Sequence, residues 1–249
     1  MAGRVYLAGA GPGDPELLTL KALRVLQRAD VILHDSLVGE AILELAGEDA
    51  MRIDVGKRCG RRSAPQAEIN RLLVEYALAG KTVVRLKGGD PMIFGRAAEE
   101  LQALQAHGIA YEIIPGVTAA SAASAALGLS LTRRKIARSV HFLTGHGAED
   151  GLPGHDWAAL TRAGGTLVIY MGKETLPGLV AHLIEAGMAP FTPAIAVENA
   201  ALPNERTTRA TLSTLARALG EPGGPVVILV GEALREGVPS DIVKMAVAK

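Results

Sequence analysis

Short apolar runs punctuate the first half of the chain at Val5–Ala8, Val31–His34, Arg52–Val55, Thr82–Leu86 and Tyr111–Ile114, each closed by a polar or glycine-rich turn. Runs this short without alternation are those of strands buried on both faces, which occur in parallel sheets. Between them lie segments with apolar residues three and four apart: Pro15–Arg28, with Asp14 as candidate cap and Pro15 in its first turn, then Gln66–Leu78 and Arg96–His107. These are helix periods. Strand, helix, strand alternation predicts an α/β fold whose first sheet is mostly parallel with helices on its faces.

A stretch rich in small and basic residues, Leu127 to Arg138, precedes a second series of strand-like runs: Val140–Thr144, Thr166–Met171, Ala194–Val197, Arg206–Leu212 and Val226–Val230. Helices are expected over Trp157–Ala163, Thr175–Ala186 and Ser213–Leu219. The composition shift places a domain boundary near Ser130, giving an N-terminal α/β domain over 1–129 and a C-terminal one over 130–249. No low-complexity segment or solenoid repeat interrupts the chain.

With 249 residues, 49% of them hydrophobic, there is enough apolar material for two medium cores. The 26 basic and 26 acidic side chains cancel, so the molecule as a whole attracts neither nucleic acid nor an anionic membrane, and a polyanionic ligand needs a local cluster. A single cysteine, Cys59, allows no internal disulfide and suits a reducing compartment. No charged leader with a cleavage site precedes the first strand, and no apolar run approaches the ~18 residues of a membrane helix. A cytoplasmic protein is expected.

Three glycine-rich turns follow predicted strands. Gly9-Ala-Gly-Pro-Gly-Asp14-Pro fails the dinucleotide fingerprint, because the third glycine would fall at Asp14 and Pro12 stiffens the turn. In Leu86-Lys-Gly88-Gly89-Asp90-Pro-Met-Ile93-Phe-Gly-Arg96, paired glycines permit close approach to the main chain and Asp90 is available to hydrogen bonds or a cation. Ile114-Pro-Gly116-Val-Thr118-Ala119 leads into an alanine-rich helix. Each alone is also an ordinary strand-to-helix turn. Three at one sheet edge predict a ligand crevice.

Taken in order, these turns with His34-Asp35-Ser-Leu-Val, Val55-Gly-Lys57, Arg85-Leu-Lys-Gly-Gly-Asp-Pro and Tyr170-Met171-Gly resemble the uroporphyrinogen-III C-methyltransferase family of the tetrapyrrole methyltransferase superfamily, over about residues 4 to 234. The resemblance implies two α/β domains of the tetrapyrrole methylase type, the second with a mixed sheet, an active site in the cleft between them, and a homodimer. It implies S-adenosyl-L-methionine bound folded, with S-adenosyl-L-homocysteine as product, and no metal. By position, Pro12, Gly88, Gly89, Asp90, Ile93, Thr118, Ala119, Met171 and Ala200 should line the cofactor site. The implied reaction methylates uroporphyrinogen III at C-2 and C-7 to give precorrin-2, toward sirohaem and cobalamin.

For the protons of that reaction the family's candidates match Asp35 as acceptor and Lys57 as donor, with Arg96 a third catalytic candidate and the choice among the three open; from the residues alone, Asp35 reads as a turn cap and Lys57 as a solvated charge. Arg96, Arg58, Arg61, Arg62, Arg133, Arg134, Lys135 and Arg138 are candidates to hold the eight substrate carboxylates, Arg96 first because its motif fixes it beside the glycine loop. Rival readings are a later precorrin methyltransferase, a ribosomal RNA methyltransferase, which the zero net charge disfavours, and a binder without catalysis, which the intact Asp90 and glycines disfavour. At this length a fused dehydrogenase and ferrochelatase module is not expected.

Overall fold

The computed structural model describes residues 3–56, 65–147 and 151–242, and the chain divides into two compact units, Met1–Ala119 and Ala120–Lys249. The first holds a five-stranded sheet of β1 (Arg4–Gly9), β2 (Val31–His34), β3 (Met51–Asp54), β4 (Thr82–Lys87) and β5 (Ala110–Ile114), ordered β3-β2-β4-β1-β5. Every pairing is parallel. α1 (Leu20–Leu26) and α2 (Glu40–Leu43) cover one face, where Leu26 and Ile42 pack with Ile32, Val84 and Leu86. α3 (Gln66–Leu78) and α4 (Ala97–Ala106) cover the other, where Leu73 and Leu104 pack with Leu7, Leu33 and Val83.

The expected helix over Pro15–Arg28 is two pieces. Asp14 caps a 3-10 turn, Pro15–Leu17, by accepting from Glu16 N–H at 2.9 Å; Leu18 and Thr19 are extended, and Thr19 Oγ1 accepts from Ala22 N–H at 3.2 Å to start α1. Two capping side chains five positions apart open two helical starts. The short α2 carries too little sequence to display a period, yet its Ile42 and Leu43 are buried.

The second unit holds α5 (Ala119–Leu127), which begins on the last residue of the first, then β6 (Val140–Thr144), α6 (Trp157–Ala163), β7 (Thr166–Tyr170), α7 (Leu176–Glu185), β8 (Pro193–Glu198), β9 (Arg206–Thr211), α8 (Leu212–Leu219) and β10 (Val226–Val230). The sheet order is β6-β7-β10-β8-β9. β6 and β7 are parallel and the other pairs antiparallel, which is the mixed sheet expected. α7 and α8 bury Leu179, Leu183, Leu212 and Leu215 against Ile169, Ala194 and Ile228. Thr211 and Thr214 form a reciprocal capping box that starts α8 directly at the end of β9. Among the described residues no helix is long and apolar enough to cross a membrane.

Candidate functional site

In the first sheet β1 and β4 are neighbours, but β1 connects toward β2 on one side and β4 toward β5 on the other, so their helices lie on opposite faces. Loops leaving such a pair diverge and open a crevice at the strands' carboxyl ends. Here the loop bases are joined. Ala10 N–H donates to Lys87 O at 2.7 Å, and Gly11 and Gly89 exchange hydrogen bonds of 3.2 and 2.7 Å across an antiparallel bridge. A Cβ on Gly9 would lie 2.5 Å from Gly89 O and 2.6 Å from Gly116 Cα; one on Gly116 would lie 2.2 Å from Gly89 O. The three loops therefore meet at a junction with no room for a side chain at Gly9 or Gly116. Asp90 seals it, accepting from Met92 N–H at 2.8 Å and Gly116 N–H at 3.1 Å.

Gly89 differs from the other two. Its φ is +66°, and a Cβ there would meet nothing closer than Thr118 Cα at 3.9 Å, an ordinary contact, so what disfavours a side chain at Gly89 is its conformation and not a clash. Asp35 joins the loops after β2 and β4: Oδ1 accepts from Leu37 N–H at 3.0 Å and Oδ2 from Gly88 N–H at 3.4 Å. Beside it, a Cβ on Gly56 would stand 2.1 Å from Ser36 N, which presses the end of β3 against the same loop. Lys57, Arg58, Arg61 and Arg62 lie outside the described residues.

Backbone strain gathers in the loop from β4 to α4, where Phe94 and Arg96 have φ of 52° and 53°. Non-glycine residues held left-handed concentrate at functional loops. Met92 and Phe94 are exposed at 53% and 41%, and Ile93 is half-buried. The Arg96 guanidinium grips Glu99 with two bonds of 2.8 Å and stays largely solvent-exposed; these bonds raise its pKa further, against a smaller opposing effect of burial. It is a fixed cation rather than a proton carrier.

One cluster went unread in the sequence. Arg85 and Lys87 are each 4% exposed, and both bind the fully buried Glu100: Arg85 Nε at 3.0 Å and Lys87 Nζ at 3.1 Å, each to Oε1. The signal was present, since two charges two positions apart in an otherwise apolar central strand share a face and demand a buried counter-ion.

In the second unit β6, β7 and β8 all point the same way, β10 running opposite between the last two. Met171 and Ala200 thus stand at one edge of that sheet. Met171 is half exposed with φ of 54°; Ala200 is buried between Asn199 and Ala201, whose φ values are 53° and 64°. A Cβ on Gly145, after β6, would reach 2.4 Å from Gly172 Cα, packing two loops of that edge together. Arg133 and Ala137 close a tight hairpin that leaves Arg134, Lys135 and Arg138 exposed, while Arg133 itself binds Glu236 at 2.7 Å. The structure thus gathers Asp35, Gly88, Gly89, Asp90 and Thr118 at the first unit's edge, with Pro12 in the loop after β1, and Met171 with Ala200 at the second's.

A family model described as tetrapyrrole (corrin/porphyrin) methylases matches residues 4–216. The chain is similar to siroheme synthases of Chromobacterium violaceum, at 49% identity over 235 residues, and of Azotobacter vinelandii, at 50% over 235; each match covers 94% of this chain and 50% of the relative. It therefore spans about half the length of these curated relatives. Among solved structures, uroporphyrin-III C-methyltransferase of Thermus thermophilus complexed with S-adenosylhomocysteine superposes with a TM-score of 0.82 at 43% identity, covering 94% of this chain and 100% of that one. A cobalt precorrin-4 methyltransferase gives a TM-score of 0.82 at 30% identity, with 93% and 95% covered.

Proposed function

The chain belongs to the tetrapyrrole (corrin/porphyrin) methylase family, and from that premise we propose that it transfers methyl groups from S-adenosyl-L-methionine to C-2 and C-7 of uroporphyrinogen III, forming precorrin-2 for sirohaem and cobalamin synthesis. The observation that carries the reading is the glycine junction between the loops after β1, β4 and β5, where Gly89 has room on its Cα beside Thr118, in a chain that matches a uroporphyrin-III C-methyltransferase along its length.

The residues fit this cofactor. Gly88 and Gly89 are half-buried and Gly89 leaves room on its Cα beside Thr118, Ile93 offers a half-buried apolar surface, Pro12, Asp90 and Thr118 stand in the adjoining loops and Ala119 opens α5; Met171 and Ala200 are the second unit's contribution to the proposed contacts. When bound, S-adenosylmethionine supplies a methyl already activated on a sulfonium. The protein's work is then alignment of a pyrrole carbon and disposal of a proton. Asp35 is suited to take that proton, since among the described residues each of its oxygens accepts one backbone hydrogen bond and retains a lone pair. Lys57 is proposed as donor. Arg96, pinned by Glu99, presents a guanidinium to a substrate carboxylate.

A homodimer acting in the cytoplasm belongs to the same proposal, and light scattering at twice the chain mass checks the dimer. The activity is tested by anaerobic incubation with S-adenosylmethionine and uroporphyrinogen III. Mass spectrometry should find two added methyl groups in the product. Cofactor binding without methylation would overturn the substrate and direct the search to later precorrins, which the likeness to the cobalt precorrin-4 enzyme makes the second reading.

A further inference from the structure

The buried cluster on β4 carries more charge than its packing requires. Glu100 Oε1 accepts from Arg85, Lys87 and, at 3.4 Å, Gln66, whereas Oε2 is buried with no hydrogen-bond partner among the described residues. Arg85 alone would neutralise Glu100, and its Nη1 also donates to the carbonyls of Leu33 at 3.3 Å and Leu86 at 3.1 Å. Lys87 adds a surplus buried cation. Burial pushes its pKa below the ordinary lysine value and the Arg85 charge acts the same way, with Glu100 and Asp35 only partly offsetting them. A cation held at such a cost invites a reason other than stability.

Its position supplies one. Lys87 is the last residue of β4, and the next residue, Gly88, begins the loop and donates to Asp35. The lysine side chain passes Gly95 so closely that a Cβ there would stand 3.0 Å from Lys87 Cε, and Glu100 lies in the first turn of α4. The ion pair therefore spans the base of the loop from Gly88 to Arg96.

We propose that Lys87 is a positioning residue, its bond to Glu100 clasping the two ends of the Gly88–Arg96 loop and so fixing the segment that would hold the methyl donor. The ligand part rests on the proposed function; the clasp does not.

The full chain is compared with Lys87→Met and Lys87→Arg by thermal unfolding, by amide hydrogen exchange across 88–96, and by calorimetric binding of S-adenosylhomocysteine. With Arg85 still pairing Glu100, Lys87→Met should melt no lower than wild type. Its loop amides should exchange about tenfold faster, with the strands unchanged, and its affinity should fall about tenfold. Lys87→Arg should recover most of both. Unchanged loop exchange overturns the proposal, as does faster exchange with unaltered affinity. A lower melting temperature with faster exchange throughout also overturns it, by making Lys87 structural. If wild type binds no S-adenosylhomocysteine, the cofactor reading falls and loop exchange decides the clasp; if it binds but does not methylate uroporphyrinogen III, only the substrate falls.

Discussion

Asp35 separates two roles that one side chain can hold together. Its two oxygens each brace one turn, at Leu37 and at Gly88; asparagine keeps an acceptor for Leu37 N–H and gives up the long 3.4 Å bond from Gly88, while only a carboxylate takes up a proton. Asp35→Asn should therefore lower methyl transfer about 100-fold while shifting stability by under about 1 kcal/mol, read by single-turnover kinetics and denaturant melts. The glycine junction makes a second contrast. Gly116→Ala drives a methyl into main chain at 2.2 Å, whereas Gly89→Ala meets only Thr118 Cα, at an ordinary 3.9 Å, and pays for φ of +66°. Urea unfolding should show the first losing about 1–3 kcal/mol or more and the second about 1–2 kcal/mol. Every glycine concerned was visible in the sequence as loop punctuation. That Gly9, Gly89 and Gly116 meet one another was not, because contact between distant turns depends on strand order.

Among the elements, the apolar runs marked the strands to within a residue or two because buried parallel strands have no other signature. The break at Thr19 was less legible, since the periodic apolar positions continue across it and only the capping bond divides the helix. β8 and β9 show an ion pair in register: Glu198 faces Arg206, binding it at 2.7 Å, and also accepts from Gly224 N–H at 2.8 Å. The Gly224 bond foremost, then Arg206, hold its carboxyl below the usual range against an opposing effect of burial. A depressed folded pKa means the unfolded chain takes up the proton first, so this stabilisation is present above the ordinary glutamate value and is lost as pH falls through the folded one. Glu198→Gln should cost about 1–2 kcal/mol at neutral pH, and the gap from wild type should close in acid, below about pH 4, in melts taken across pH.

At the scale of the molecule, 26 cations against 26 anions leave no net charge to attract a polyanion, so the proposed substrate would be held by groups near its carboxylates. Such contacts act over a Debye length of about 10 Å or less and weaken with salt. Raising salt from about 50 to about 500 mM should lift KM for uroporphyrinogen III several-fold while leaving S-adenosylhomocysteine affinity within about twofold, measured by initial rates and calorimetry. Composition foretold this neutrality. It could not show that Arg96 and Arg133 already hold Glu99 and Glu236, because such pairing is set by side-chain reach in the folded chain.

The glycine junction also bears on how this scaffold can be re-engineered. Three loops welded at their bases leave each loop's tip free to be exchanged without disturbing its neighbours' roots. A chimera that grafts foreign sequence between Pro91 and Gly95, where Met92 and Phe94 stand exposed, inherits an intact anchor. One whose crossover falls at Gly9, Gly89 or Gly116 must bring all three positions from the same parent or keep glycine at each. Crossover sites for libraries built on this fold are thus dictated by main-chain proximity at the crevice floor, and diversity belongs above it.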